Sequence, residues 1–365
     1  MKITKLFFIM ALLFGSASCS RDKYSNETFS YPDWKENDRP EYAFKKLVFA
    51  STNSFLGKNE GVTELVAKSR VLRIGGFETL QFYVNTLREK YSSELILLDG
   101  GYLLGKEDKE KTLESYKSLG HDAILYTENE LSDFDITNSI PLPFVASNIM
   151  DIATGKNKEG ANLAPYRVIE KNGIRVGIIG TTTFKKGIQF NGIYFEDPVL
   201  SFLKAKKELK EQKVDITVLL VHSQTECSPL PSDEEHHIAG VIECADSSAD
   251  LEKIISRLPT GSVDLIIGGD AFNLNQNISG IPVLQNQGQG MYISLAKVYV
   301  DAVSKKIVPE KTKILNPVKT CSQFFAKTSD CHISHDASRL HKINAIKEDK
   351  FKMKLAKFLG KRIPL

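Results

Sequence analysis

Five apolar runs each end on a short polar or glycine-containing stretch, and this recurrence constrains the fold more than any other feature of the chain. Val263-Asp-Leu-Ile-Ile-Gly-Gly-Asp-Ala-Phe272 is the sharpest case. Its apolar β-formers predict a strand buried on both faces, and Gly268-Gly269 lets the backbone turn with no Cβ in the way. Asp270 and Phe272 follow the turn. Leu47 to Thr52 runs into Asn53-Ser-Phe-Leu-Gly57, and Leu95 to Leu98 into Asp99-Gly-Gly-Tyr-Leu103. Ile174 to Gly180 runs into Thr181-Thr-Thr183, and Ile216 to Val221 into His222-Ser-Gln224. Ligands bind beyond the carboxyl ends of buried strands, so these loops are expected on one rim.

Helical periodicities fill the intervals. Phe77, Leu80, Val84, Leu87 and Tyr91 repeat on one face, Lys106 to Leu119 forms a charged helix, and Asp197-Pro198 opens a helix through Lys213. Asp250 to Leu258 reads as the helix before the anchor strand. Lys171-Asn172-Gly173 between apolar alternations signals a hairpin. Strands alternating with helices, plus hairpins, predict an α/β fold with two mixed sheets inside and helices outside. The 365 residues, 42% apolar and 25% charged, can bury a sizeable core, and a net charge of +3 gives no reason to expect nucleic acid.

Residues 1–18 read as a signal peptide, with Lys2 and Lys5 before a nine-residue apolar stretch from Leu6 to Phe14. That stretch is too short to span a bilayer. Gly15-Ser-Ala-Ser-Cys19 resembles the end of a bacterial lipoprotein signal, with Cys19 as the lipidated residue; cleavage after Ser16-Ala-Ser18 is the plainer reading. Residues 19–45 are polar and read as a tether to the lipid anchor, with Trp34, the only Trp, docking part of it. The expected location is the bacterial cell envelope, periplasmic or at the surface, with the membrane reached through the anchor. Four cysteines remain. Their spacing suggests the pairs Cys227 with Cys244 and Cys321 with Cys331, against four free thiols. From Arg339 to Arg362 nine Lys and Arg residues face only Glu348 and Asp349. Residues 336–365 therefore read as a basic amphipathic helical tail, packed on the body or laid on an anionic surface.

The loop order resembles the metallophosphoesterase domain of the 5'-nucleotidase and UDP-sugar hydrolase family, over residues 46–335. The family runs Thr-Asn-Asp-x-His-Gly, Leu-Asp-Ala-Gly-Asp, Gly-Asn-His-Glu, Ser-His-x-Gly and Gly-Gly-His-Ser-His. Here the corresponding stretches are Thr52-Asn-Ser-Phe-Leu-Gly57, Leu98-Asp-Gly-Gly-Tyr102, Thr127-Glu-Asn-Glu130, Val221-His-Ser-Gln224 and Gly268-Gly-Asp-Ala-Phe272. The resemblance implies a four-layer α-β-β-α sandwich of metallo-dependent phosphatase type. It also implies a site where two metal ions activate water and clamp phosphoryl oxygens.

Residue by residue, that site is largely missing. Ser54 stands at a ligand Asp, Leu56 at a ligand His, and Tyr102 at the bridging Asp. Glu128 stands at the ligand Asn, and Asn129 at the His that assists the leaving group. Asp270 and Phe272 replace two His; His222 keeps its family identity, and Asp99 and Glu130 survive as supporting residues. The expectation is therefore an inactive cleft with no cofactor, serving to bind an unknown protein or small molecule. The alternative is a residual phosphoesterase with one divalent metal on Glu128, Glu130, His222 and Asp270. His236-His237 could also suggest metal, but adjacent histidines on an acidic loop read more simply as surface. The four later cysteines resemble those of an exported subgroup of the family, and the basic tail stands where many relatives carry a nucleobase-gripping domain.

Overall fold

Strand β1 (Phe44–Thr52) is buried from Leu47 onward and lies between two partners. The structure is a computed structural model. It describes residues 43–320 apart from 68–69, 107, 159, 161, 184–188, 191, 224, 226–235, 238–249 and 271–273, together with 323–324 and 344–345. β1 starts inside the segment read as tether, because Phe44 and Lys45 pair with Asp301 and Val300. A hairpin of β2 (Val62–Ala67) and β3 (Arg70–Ile74) follows, then α1 (Phe77–Tyr91) and β4 (Leu95–Asp99). Next come α2 (Lys109–Leu119) and β5 (Ala123–Leu125). α2 begins at Lys109 rather than Lys106, since Asp108 has φ 52°, outside the right-handed helical region.

Two short helices, α3 (Glu128–Leu131) and α4 (Phe134–Ser139), precede β6 (Phe144–Val145), β7 (Ile149–Asp151) and β8 (Leu163–Ala164). β9 (Tyr166–Lys171) and β10 (Ile174–Thr182) form the expected hairpin. Asn172 and Gly173 both have positive φ, 50° and 66°, as a two-residue turn matched to strand twist requires. β11 (Gln189–Phe190) and β12 (Ile193–Phe195) lead to α5 (Pro198–Glu211). The Asp197 carboxylate accepts from Val199 N and Leu200 N, and Pro198 supplies a preset first helical residue. α5 stops at Glu211 rather than Lys213, whose φ is 52°.

The remaining elements are β13 (Ile216–His222), β14 (His236–His237), α6 (Asp250–Arg257) and β15 (Leu265–Gly268). β16 (Leu274–Ile278), β17 (Ile281–Gln285), β18 (Tyr292–Asp301) and β19 (Lys313–Lys319) follow. β20 (Gln323–Phe324) pairs antiparallel with β21 (Asn344–Ala345); the rest of the basic tail, 336–343 and 346–365, lies outside the described residues. Cys19, Trp34, the other four cysteines and Phe272 lie outside the described residues.

One sheet has eight strands, ordered β14-β19-β18-β1-β4-β5-β6-β8; a second has six, ordered β16-β17-β15-β13-β10-β9. A smaller sheet joins β11, β12 and β7. Between the two large sheets lies an apolar layer that includes Leu47, Phe49, Ile96, Leu98, Ile178, Val218 and Ile267. Outside the first sheet, Leu80, Val84 and Leu87 of α1 and Leu113 and Tyr116 of α2 pack on Val48, Ala50 and Leu97. Outside the second, Phe202 and Leu209 of α5 and Leu251 and Ile255 of α6 pack on Ile179, Leu219 and Ile266. This is the expected α-β-β-α sandwich. β1, β4 and β5 run parallel, as do β10, β13 and β15, so their carboxyl ends set out the rim loops. Among the described residues no helix is long and apolar enough to cross a membrane.

Candidate functional site

Backbone hydrogen bonds sew the first two rim loops together. Ser54 N donates to Gly101 O at 2.7 Å, Leu56 N to Tyr102 O at 3.1 Å, and Gly57 N to Leu103 O at 3.0 Å. Three side-chain-bearing residues here adopt the left-handed region: Ser54 (φ 44°), Leu56 (φ 54°) and Tyr102 (φ 57°). Each such residue costs roughly 1–2 kcal/mol, and all three occupy positions equated with metal ligands. The floor is tighter still. A Cβ on Gly100 would lie 2.7 Å from Gly268 O and 2.7 Å from Gly269 Cα, so the loops after β4 and β15 meet backbone to backbone.

The side chains complete the join. Asn53 Nδ2 donates to Asp270 O (3.0 Å) and Asn286 O (2.9 Å), while its Oδ1 accepts from Asn286 N. Ser54 Oγ donates to Gly269 O at 2.6 Å. Between the left-handed Ser54 and Leu56, Phe55 is fully buried and meets the Tyr116 ring at 5.0 Å.

Tyr102 dominates the cleft. Its ring stacks on His222 at 4.0 Å between centroids and 11° between planes. Its hydroxyl donates to Glu128 Oε1, and Glu128 Oε2 accepts from Thr182 Oγ1 at 3.0 Å. Burial and the Glu128 carboxylate push the Tyr102 phenol well above its ordinary value, so it stays a neutral donor. Burial holds the His222 imidazole low, against the opposing pull of Glu128 and Asp270. His222 Nδ1 makes no hydrogen bond of ordinary geometry, although the Gly100 and Gly269 backbone beside it favours the protonated ring.

The other named residues serve the loops. Asn129 Nδ2 donates to Leu104 O at 2.8 Å. Glu130, fully buried, accepts from Leu103 N (2.7 Å), Leu104 N (3.3 Å), Thr127 N (3.1 Å) and Thr127 Oγ1. Glu130 thereby closes the capping box of α3, and burial lifts its carboxyl to about 7. Asp99 accepts from Thr52 Oγ1 (2.6 Å), Gly101 N (2.7 Å) and Tyr116 OH (3.2 Å), and burial raises it to about 6. Since Thr52 gives its proton to Asp99, it accepts from His121 Nε2, 3.0 Å away; burial drives that ring down to about 3. His236 and His237 pair with Ile314 and Lys313 at a sheet edge.

These residues do not fit a two-metal centre. Ser54 gives its hydroxyl to a carbonyl, Leu56 has no donor atom, and Tyr102 spends its ring and hydroxyl on His222 and Glu128. Of the four residues considered for a single metal, Glu128, His222 and Asp270 are electrostatic neighbours, but Glu130 faces the loop backbone. Among the described residues no three His, Cys, Asp or Glu form a metal-holding group. The sequence reading places Thr182 in a rim loop without a role and does not include Asn286. The Gly288 and Gly290 run after Asn286 was the available sign that this loop approaches another backbone; both glycines have positive φ.

No family model matches the chain. It is similar to the 5'-nucleotidase of Vibrio cholerae, with 26% identity over 198 residues, covering 50% of this chain and 33% of that protein. It is also similar to the probable 5'-nucleotidase of Treponema pallidum, with 26% identity over 182 residues, covering 44% of this chain and 29% of that one. The matches thus span about a third of these relatives' length. Among solved structures, the calcineurin-like phosphoesterase YfkN from Bacillus subtilis superposes with a TM-score of 0.56 at 17% identity, covering 86% of this chain and 96% of that one. The strand and loop order, the sequence matches and the superposition agree: the chain is a metallophosphoesterase-like relative of the 5'-nucleotidases.

Proposed function

We propose that this protein is an exported lipoprotein whose metallophosphoesterase-like fold is catalytically inactive and acts as a binding or scaffold protein, presenting the old catalytic rim to a partner protein or small molecule. The observation that carries this reading is the Tyr102 ring stacked 4.0 Å over His222. A bridging carboxylate would place negative charge between two cations; a neutral phenol hydrogen-bonded to Glu128 does not. Losing only the groups that hydrogen-bond to metal ligands costs about 10–100-fold in metal affinity or activity; here the substitutions fall on the ligand positions themselves.

Purified protein is expected to hold well under one equivalent of Mn, Zn or Fe by elemental analysis. It is also expected to hydrolyse neither AMP nor p-nitrophenyl phosphate above a buffer blank when those metals are supplied. About one bound equivalent, lost together with hydrolysis in His222→Ala or Asp270→Ala, would establish the residual phosphoesterase instead. The envelope assignment rests on the basic residues, apolar stretch and Cys19 of the N-terminus. Cells expressing the full chain should incorporate labelled fatty acid into it, and Cys19→Ser should abolish the label; labelling that survives removes the lipid anchor from the proposal.

A further inference from the structure

The most exposed large apolar side chain among the described residues stands where the chain enters the folded body. Val303 is 91% exposed, at the tip of the turn that follows β18. Ala302 N, one residue before it, donates to Ala43 O at 3.1 Å, and Asp301 pairs with Phe44, the first residue of β1. The turn is closed by its own hydrogen bonds. Asp301 Oδ1 accepts from Val303 N (3.1 Å) and Ser304 N (2.7 Å), and Asp301 N donates to Lys306 O at 2.9 Å. Cations stand around this tip. Lys305 and Lys306 follow Val303 in the turn, and Lys45 follows Phe44 on β1. Lys311 Nζ lies 4.8 Å from the Phe44 ring centroid. Lys45 Nζ donates to Gly173 O at 3.3 Å, a bond that leaves its charge intact. Against these four stand Glu310, exposed, and Asp301, whose Oδ1 serves the turn with Lys305 as an electrostatic neighbour.

A single exposed apolar residue is ordinary on a protein surface; its place makes this one informative. The chain that runs from Cys19 joins the body here, so the body is held to any lipid on Cys19 at this end. An apolar tip flanked by lysines suits a lipid interface, where the apolar side chain enters the boundary and the ammonium groups meet headgroup phosphates. Resting on the lipoprotein reading above, we propose that this end of the sandwich docks on the anionic leaflet that carries the anchor. Val303 enters the headgroup region, and Lys45, Lys305, Lys306 and Lys311 face the anionic headgroups. Each lysine near such a surface favours the docked state about fivefold. β1 begins at this end and runs toward the rim, as does β4 beside it. Docking therefore turns the cleft away from the leaflet, toward whatever binds it.

Trp34 is the only Trp in the chain, so Val303→Trp combined with Trp34→Phe puts one fluorophore at the tip. The protein purified from cells is reconstituted on phosphatidylcholine vesicles with and without phosphatidylglycerol. With phosphatidylglycerol, the indole is expected to shift its emission to the blue and to be quenched by brominated phospholipid. Adding Lys305→Glu and Lys306→Glu should abolish both signals, and high salt should weaken them, with far-UV circular dichroism unchanged. A chain that floats with the vesicles while its indole stays unshifted and unquenched overturns the docking and leaves the anchor standing. A chain that neither floats nor carries labelled fatty acid overturns both. Equal quenching on phosphatidylcholine alone, or quenching that survives the charge reversals, removes the anionic leaflet as the partner. A blue shift that grows with protein concentration in the absence of vesicles would make the tip a contact between copies and would equally overturn the proposal.

Discussion

Phe55→Ala is expected to destabilise the folded protein by about 3–5 kcal/mol, the range for truncating a buried aromatic. The position gives little prior sign of this, since it stands in the middle of a rim loop. Yet its side chain is fully buried, packs on Tyr116 and belongs to the apolar cluster beneath α1 and α2. The flanking Ser54 and Leu56 are held in left-handed turns and hydrogen-bonded to the next loop, so the backbone has little freedom to close the cavity. Leu56→Ala, one residue along and partly exposed, is the control and should change stability far less. Urea unfolding of the two variants decides the point. A Phe55→Ala loss no larger than that of Leu56→Ala would mean the loop repacks freely, and its rigidity would have to be abandoned.

Glu130→Ala should cost about 3 kcal/mol or more, because it leaves the amides of Leu103, Leu104 and Thr127 without their acceptor, at roughly 1–3 kcal/mol for each buried unpaired donor. Its effect also depends on pH, in a definite direction. Burial raises the Glu130 carboxyl from an ordinary 4.5 to about 7, so the folded chain binds this proton more tightly than the unfolded chain does. The stability so gained is complete below the unfolded value and is lost as pH climbs through the folded one. The gap corresponds to on the order of 3 kcal/mol. Asp99, raised by burial to about 6, acts in the same sense. Between about pH 5 and about pH 8 the wild type should therefore lose more stability than Glu130→Ala, and the difference between them should narrow. Parallel stability curves for the two proteins would show that Glu130 does not titrate in this window.

Much of the fold could be read from local sequence because the relevant signals are local. Asn172-Gly173 specifies its turn within two residues, Asp197-Pro198 specifies a helix start, and the buried parallel strands are short apolar runs bounded by glycine or polar residues. The hairpin of β2 and β3 carries no such apolar run and has no counterpart in the sequence reading. Helix α3 stands in a stretch matched above to a family loop motif: Thr127 and Glu130 hold the spacing of a capping box, but four residues are too few for helical periodicity to register. The substitutions at Ser54, Leu56, Tyr102 and Phe272 were visible as a broken pattern. What replaced the pattern was not, because it depends on contacts across the chain. Tyr102 meets His222 from another sheet, Thr182 reaches back to Glu128, and Asn53 is bound to Asn286. Pairings at such separation have no signature in residue order.

The left-handed turns at Ser54, Leu56 and Tyr102 bear on how this surface can diversify. Their outline is maintained by amide-to-carbonyl contacts between neighbouring loops, whose donors and acceptors are present whatever side chain is attached. Composition and contour are thus uncoupled: lateral groups can be exchanged one at a time to suit a new acquaintance while the profile offered to it stays the same.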